Sequence, residues 1–169
     1  AACGYAGVHR ESDHQTDQKS RSASGCGRRS VTDMSTTIHS SFLPHTDPDA
    51  SLAFYRDVLG FEVRLDVGYE NLRWIAVGPV GQSDTAIVLH PQGVGTDISD
   101  DEREVLLGLL AKGSYFGVNL ATEDLDALFA QIEAAGGDIV QEPIEQDYGV
   151  RDAAVRGPAG NLSRIQQKG

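Results

Sequence analysis

Cysteine is nearly absent from this chain: its 169 residues hold two, Cys3 and Cys26, both near the N-terminus. Nothing beyond Cys26 can form a disulfide or give a metal a thiolate, which suits a reducing cytoplasm. Methionine and tryptophan occur once each, as Met34 and Trp74. Basic residues are also few, 14 Lys and Arg against 25 Asp and Glu, for a net charge of −11. Such a surface repels phosphate and argues against a nucleic-acid partner. No apolar run nears the ~18 residues that span a bilayer, so no membrane is expected either.

Residues 1–33 read differently from the remainder. "HRESDHQTDQKSRSASGCGRRSVTD" is polar, rich in Ser and Gln, and without hydrophobic periodicity, so the segment is expected to be a disordered leader or tag. It lacks the apolar core of a signal peptide. Met34 stands just before the first ordered pattern and is the expected natural start, with a native flexible tail as the alternative. The leader carries five basic and four acidic side chains, so residues 34–169 form a domain at about −12 against −11 for the whole chain.

From Met34 the chain runs twice through one order of elements. "TIHSSFLPHT" is strand-like and ends at "DPDA", where Asp47 or Asp49 can cap a helix. "ASLAFYRDVLG" sets Leu52, Tyr55 and Leu59 on one helical face and stops at Gly60. "FEVRLDV", "LRWIAVG" and "DTAIVLH" then read as three strands. The second pass starts at "SYFGVNLAT". It continues through the helix "EDLDALFAQIEAAGG" and the strands "DIVQEPI", "VRDAAVR" and "NLSRIQQ". The expected architecture is α+β: two βαβββ modules, about 37–90 and 114–167, joined by a linker helix over 98–112. Units of about 55 residues cannot bury a core alone, so the two are expected to share one as a pseudo-symmetric pair. The Val105, Leu106, Leu109 and Leu110 face of the linker helix should pack on the domain or on a partner.

These motifs carry a resemblance. "DPDASLAFYRDVLGFEV", "RWIAVGPVGQSDTAIVLHP", "EDLDALFAQIEAAGG" and "QEPIEQDYGVRDAAVRGPAGNLSRIQQ" resemble, in the right order, the signatures of the vicinal oxygen chelate superfamily. The likeness is to its glyoxalase/bleomycin resistance protein/dioxygenase branch and covers 37–167. It implies sheets curled into an open cup that holds the ligand, and a homodimer, since members commonly pair or swap modules to complete their cups. In the enzymes of this superfamily a divalent cation binds two substrate oxygens, held by imidazole and carboxylate ligands from the first and last strands of each module.

The matching positions here are Ser40, His90, Gly117 (or Phe116 in the other register) and Arg164. His39 neighbours Ser40 but should face the opposite way, because successive strand residues alternate. A guanidinium is charged at any relevant pH and repels a dication, so no metal is expected. His45 is read as a partly exposed structural residue, and Glu70 and Glu142, the candidate general bases, as solvated surface.

What the cup retains is a binding surface. With Arg164 pointing inward, alternation places Gln166 and Leu162 beside it, and Ser40, Phe42, His90 and Asn119 on neighbouring strands. Trp74, Tyr69 and Tyr148 are candidate aromatic walls; core packing is the alternative for Trp74 and Phe42. Arg164 is expected either to anchor an anionic or carbonyl group of a ligand or to pair internally with Glu70 or Asp152.

The leading expectation is a cytoplasmic homodimer that binds a small molecule in a metal-free cup, with antibiotic sequestration as one form of that role. One alternative is a glyoxalase-like lyase, an isomerase or a dioxygenase using zinc, iron, manganese or nickel on His90 and His39. Another is a non-catalytic interaction protein.

Overall fold

The computed structural model describes residues 36–93 and 97–169; the leader 1–33 lies outside the described residues. The first strand, β1 (Ser40–His45), runs into Asp47, whose carboxylate accepts from the backbone N–H groups of Asp49 and Ala50, both at 3.0 Å. This cap starts α1 (Pro48–Ala53), where Pro48 costs no hydrogen bond in the first turn. Sequence periodicity predicts one continuous helix to Gly60, but the last part is a π-helical turn over Phe54–Val58. Its wider ladder, with the Leu59 N–H on the Phe54 carbonyl at 3.0 Å, lets the adjacent Phe54 and Tyr55 both turn into the core. Gly60, at φ +71, adopts the left-handed stop that a side chain would oppose.

Three strands follow, β2 (Glu62–Tyr69), β3 (Leu72–Gly78) and β4 (Ala86–Pro91). Helix α2 (Asp100–Ala111) begins with a reciprocal capping box between Ser99 and Glu102. Of its apolar face Leu110 is buried and Leu106 half-buried, while Val105 and Leu109 remain exposed. The second half repeats the first: β5 (Gly117–Thr122), α3 (Leu125–Ala134) capped by Asp124, β6 (Asp138–Glu145), β7 (Arg151–Arg156) and β8 (Leu162–Gln167). Among the described residues no helix is long and apolar enough to cross a membrane.

The strands form two open four-stranded sheets, β1-β4-β3-β2 and β5-β8-β7-β6. In each, the first strand pairs in parallel with the last and the other pairs are antiparallel. One face of each sheet meets a single shared core. The first sheet gives it Leu43, Ile75, Val77, Ile87 and Leu89, the second Ala153, Val155 and Ile165, and the helices Leu52, Phe54, Tyr55, Leu125 and Ile132. Each full burial of such a side chain contributes about 1.5–3 kcal/mol. The halves are also tied by polar bonds, from the Asn161 amide to the Pro44 carbonyl at 2.8 Å and from the Gln131 amide to the Val58 carbonyl at 2.7 Å. Burial pushes the Tyr55 phenol up to about 12, with nearby Ser163 pulling the other way.

Candidate functional site

Strand alternation leaves each sheet a second face, turned away from the core, here called the front. On the first sheet, the register puts Ser40 beside Ala86, Phe42 beside Val88, Leu65 beside Ala76, Val67 beside Trp74 and Tyr69 beside Leu72, all on the front. Back-face residues of the same strands, such as Leu89 and Ile75, are fully buried. The front is apolar and uncovered: Phe42 is 55% exposed, Leu65 54% and Tyr69 67%. Trp74 and His90 are half-buried among them. The His90 and Phe42 rings meet edge to face with centroids 5.9 Å apart, and His90 Nδ1 lies 3.1 Å from the Pro91 carbonyl. With Nδ1–H donating there, Nε2 carries the lone pair.

On the second sheet, Gly117 lies beside Leu162, Asn119 beside Arg164 and Ala121 beside Gln166, while Ala154 adjoins Arg164 and Asp152 adjoins Gln166. This front sets a polar cluster among Gly117, Ala121, Ala154, Leu162 and the 45% exposed Ile144, and the centre of that cluster is Asp152, 0% exposed. One carboxylate oxygen accepts from the side-chain amides of Gln146 at 2.6 Å and Gln141 at 2.9 Å; the other accepts from Arg164 Nη1 at 2.6 Å. Burial alone would raise this carboxyl, but hydrogen bonds from Gln146, Arg164 and Gln141 and the Arg164 charge outweigh it and hold it below the usual range. Hydrogen bonding to Asp152 raises Arg164 in turn, with a smaller contribution from nearby Tyr148. The Arg164 side chain remains 33% exposed.

The nine candidate residues thus fall into two groups. Ser40, Phe42, Tyr69, Trp74 and His90 belong to the first front; Asn119, Arg164 and Gln166 belong to the second, with Tyr148 beside Arg164. A groove of about 660 Å³ between the Leu59–Phe61 and Pro79–Gln82 segments and β5 is lined by Asn119 alone of the nine. A second, of about 420 Å³ between α1 and the turns at 135–138 and 156–158, is lined by none. Sequence reasoning passed over Gln141 and Gln146, since lone glutamines in a polar stretch give no signal. His45, expected to be partly exposed, is buried, and its Nε2 lies 2.7 Å from the Arg73 carbonyl.

The positions that the resemblance gives to metal ligands are a hydroxyl, an imidazole, a glycine and a guanidinium. Among the described residues no three His, Cys, Asp or Glu side chains converge. His39 lies outside β1 and is exposed. The nearest carboxylate, Asp152, is already occupied by Arg164 and two amides, and a fixed cation stands in front of it. This donor set does not fit a dication.

The comparisons agree with this architecture. The family profile described as the Glyoxalase/Bleomycin resistance protein/Dioxygenase superfamily matches residues 37–165. Among solved structures, UcmS2 is 31% identical with a TM-score of 0.70, over 80% of this chain and 100% of that one. TnmS3, an antibiotic binding protein from a Streptomyces species, is 25% identical with a TM-score of 0.61, over 79% and 97%. A superfamily member from Sphaerobacter thermophilus is 25% identical with a TM-score of 0.63, over 79% and 98%. No curated protein matches in sequence. By fold, motif order and family match, this chain belongs to the glyoxalase/bleomycin resistance protein/dioxygenase superfamily.

Proposed function

We propose that this protein binds an amphipathic small molecule, without a metal, in a cup made from the apolar front of one copy and the polar front of a second. The observation that carries the reading is the contrast between the fronts. Phe42, Leu65, Val67 and Tyr69 lie open around Trp74 and His90, while the other sheet presents Arg164, Asn119 and Gln166. An exposed apolar face of this extent marks a binding surface. An apolar wall with a few convergent polar groups is the usual chemistry of a small-molecule site. A second copy supplies the facing wall, so the active form is a homodimer, expected in the cytoplasm because residues 34–169 hold no cysteine. The likeness to TnmS3, described as an antibiotic binding protein, supports sequestration of an antibiotic as the role.

Trp74, the sole tryptophan of the chain, is a built-in reporter on the apolar wall. Titrating chelator-treated protein with a panel of apolar antibiotics should give saturable Trp74 quenching, with a thermal shift that grows by mass action. A panel in which no compound quenches Trp74, or in which binding needs added zinc, iron, manganese or nickel, would reject the reading.

A further inference from the structure

The polar cluster on the second front is charge-neutral at its centre, and we infer from this that the cup selects a neutral ligand over a carboxylate, sulfonate or phosphate, with Asp152 as the specificity-determining residue. This rests on the small-molecule reading above and deepens it.

A guanidinium on a binding face is ordinarily an anion anchor. Arg164 differs because its charge is already matched. The Arg164 Nη1–Asp152 bond is 2.6 Å long, and the carboxylate is wholly buried behind it. Two glutamine amides complete the acceptor's coordination, so Asp152 stays ionised and cannot turn away. Among the described residues, no other cation on this sheet is free to help. Arg156 pairs with Asp138 at 2.9 Å, and Arg151 with Asp126 at 2.7 Å. An anion placed at Arg164 would therefore meet a neutral pair with a negative charge close behind, on a chain whose net charge is −11. Coulomb attraction to the guanidinium is then largely cancelled.

What survives is a dipole with its N–H end outward, held in place from behind. A carbonyl oxygen accepts from such donors and brings no charge that must be stripped of water. Asn119 and Gln166 flank Arg164 and Asp152 in the same register and add amide donors and acceptors for neutral polar groups. Asp152 is thus a positioning residue. It touches no ligand, but it fixes the direction of the Arg164 fork and removes its net charge.

Two fluorescent dyes of one skeleton separate the possibilities, anionic anilinonaphthalene sulfonate and neutral phenylnaphthylamine, titrated into the full chain. Wild type should bind the neutral dye at least as tightly as the sulfonate. Asp152→Asn should tighten the sulfonate about tenfold and leave the neutral dye within about twofold. Should that variant fail to fold, the paired replacement D152N/R164M, which removes both charges together, should leave sulfonate affinity within about threefold of wild type. A tenfold wild-type preference for the sulfonate, an unchanged dye ratio in folded Asp152→Asn, or a tenfold loss of sulfonate in the paired variant would each overturn the inference while leaving small-molecule binding intact. If neither dye brightens with wild type, the open front itself is rejected, and this inference falls with the reading it rests on.

Discussion

The two sheets share one strand order and one core, yet their fronts are built on opposite principles. The first front is apolar and unsatisfied, with Phe42, Leu65, Val67 and Tyr69 standing open to water. The second carries an internally satisfied polar cluster: Asp152 at its centre has no exposure, with Arg164, Gln141 and Gln146 bonded to it. The back faces of the two βαβββ halves must fit each other in the shared core, whereas the fronts are under no such constraint. The first front gains by being covered, whereas the second gains by holding its donors in a fixed direction. An amphipathic ligand between two copies would satisfy both.

The largest expected effect separates front from back. Leu89→Ala, in the back-face core, should cost about 2–5 kcal/mol of unfolding free energy in urea. Leu65→Ala, on the first front, should cost under about 1 kcal/mol in dilute protein. Equal losses would mean that the front is packed in solution.

Next comes the pair on the second front. Arg164→Ala strands a fully buried carboxylate and should cost about 3 kcal/mol, whereas D152N/R164M should cost about 1 kcal/mol or less. If Arg164→Ala melts like wild type, Asp152 does not depend on it.

The same pair sets an acid limit. The folded Asp152 carboxyl sits below its ordinary range, so its stabilising contribution is complete above about pH 4 and is lost as pH falls through the lower folded value. Stability measured between about pH 5 and pH 2 should fall more steeply for wild type than for D152N/R164M, where this titration is absent. Parallel curves would mean that the Asp152 carboxylate contributes nothing to stability.

The smallest effect lies at the rim of the apolar front. Glu70, in the β2–β3 turn, has φ +54, a conformation that glycine adopts without strain. Glu70→Gly should raise the melting temperature slightly, by the equivalent of about 0.5–1 kcal/mol. A loss of stability would show that Glu70 makes a contact that offsets its strain.

Much of the fold was legible because its signals are local. Alternation marked the strands, and Asp47, one of the two candidates, capped the helix that follows the first. Gly60 and Gly136, both left-handed, ended the two helical segments. The π-helical turn was not legible, since Leu52, Tyr55 and Leu59 fit an ordinary helix equally well; only the packing of Phe54 and Tyr55 in the shared core separates the two. At the candidate site, strand parity was enough to place Arg164, Asn119 and Gln166 on one face. The choice between Glu70 and Asp152 as partner of Arg164 was not, because it depends on which carboxylate tertiary packing buries beside it. Gln141 and Gln146 were invisible for the same reason.

A mixing experiment asks whether the cup joins the apolar front of one copy to the polar front of another. Phe42→Asp spoils the first front only, and Asn119→Asp with Ala121→Asp, two uncompensated charges on exposed front positions, spoils the second only; each protein alone should brighten phenylnaphthylamine far less than wild type. If cups form between copies, an equilibrated equal mixture contains mixed dimers with one intact cup each, and about a quarter of the wild-type fluorescence should return. A mixture that stays as dark as its two components would place both fronts of a working cup in a single chain, and no cup would form between copies.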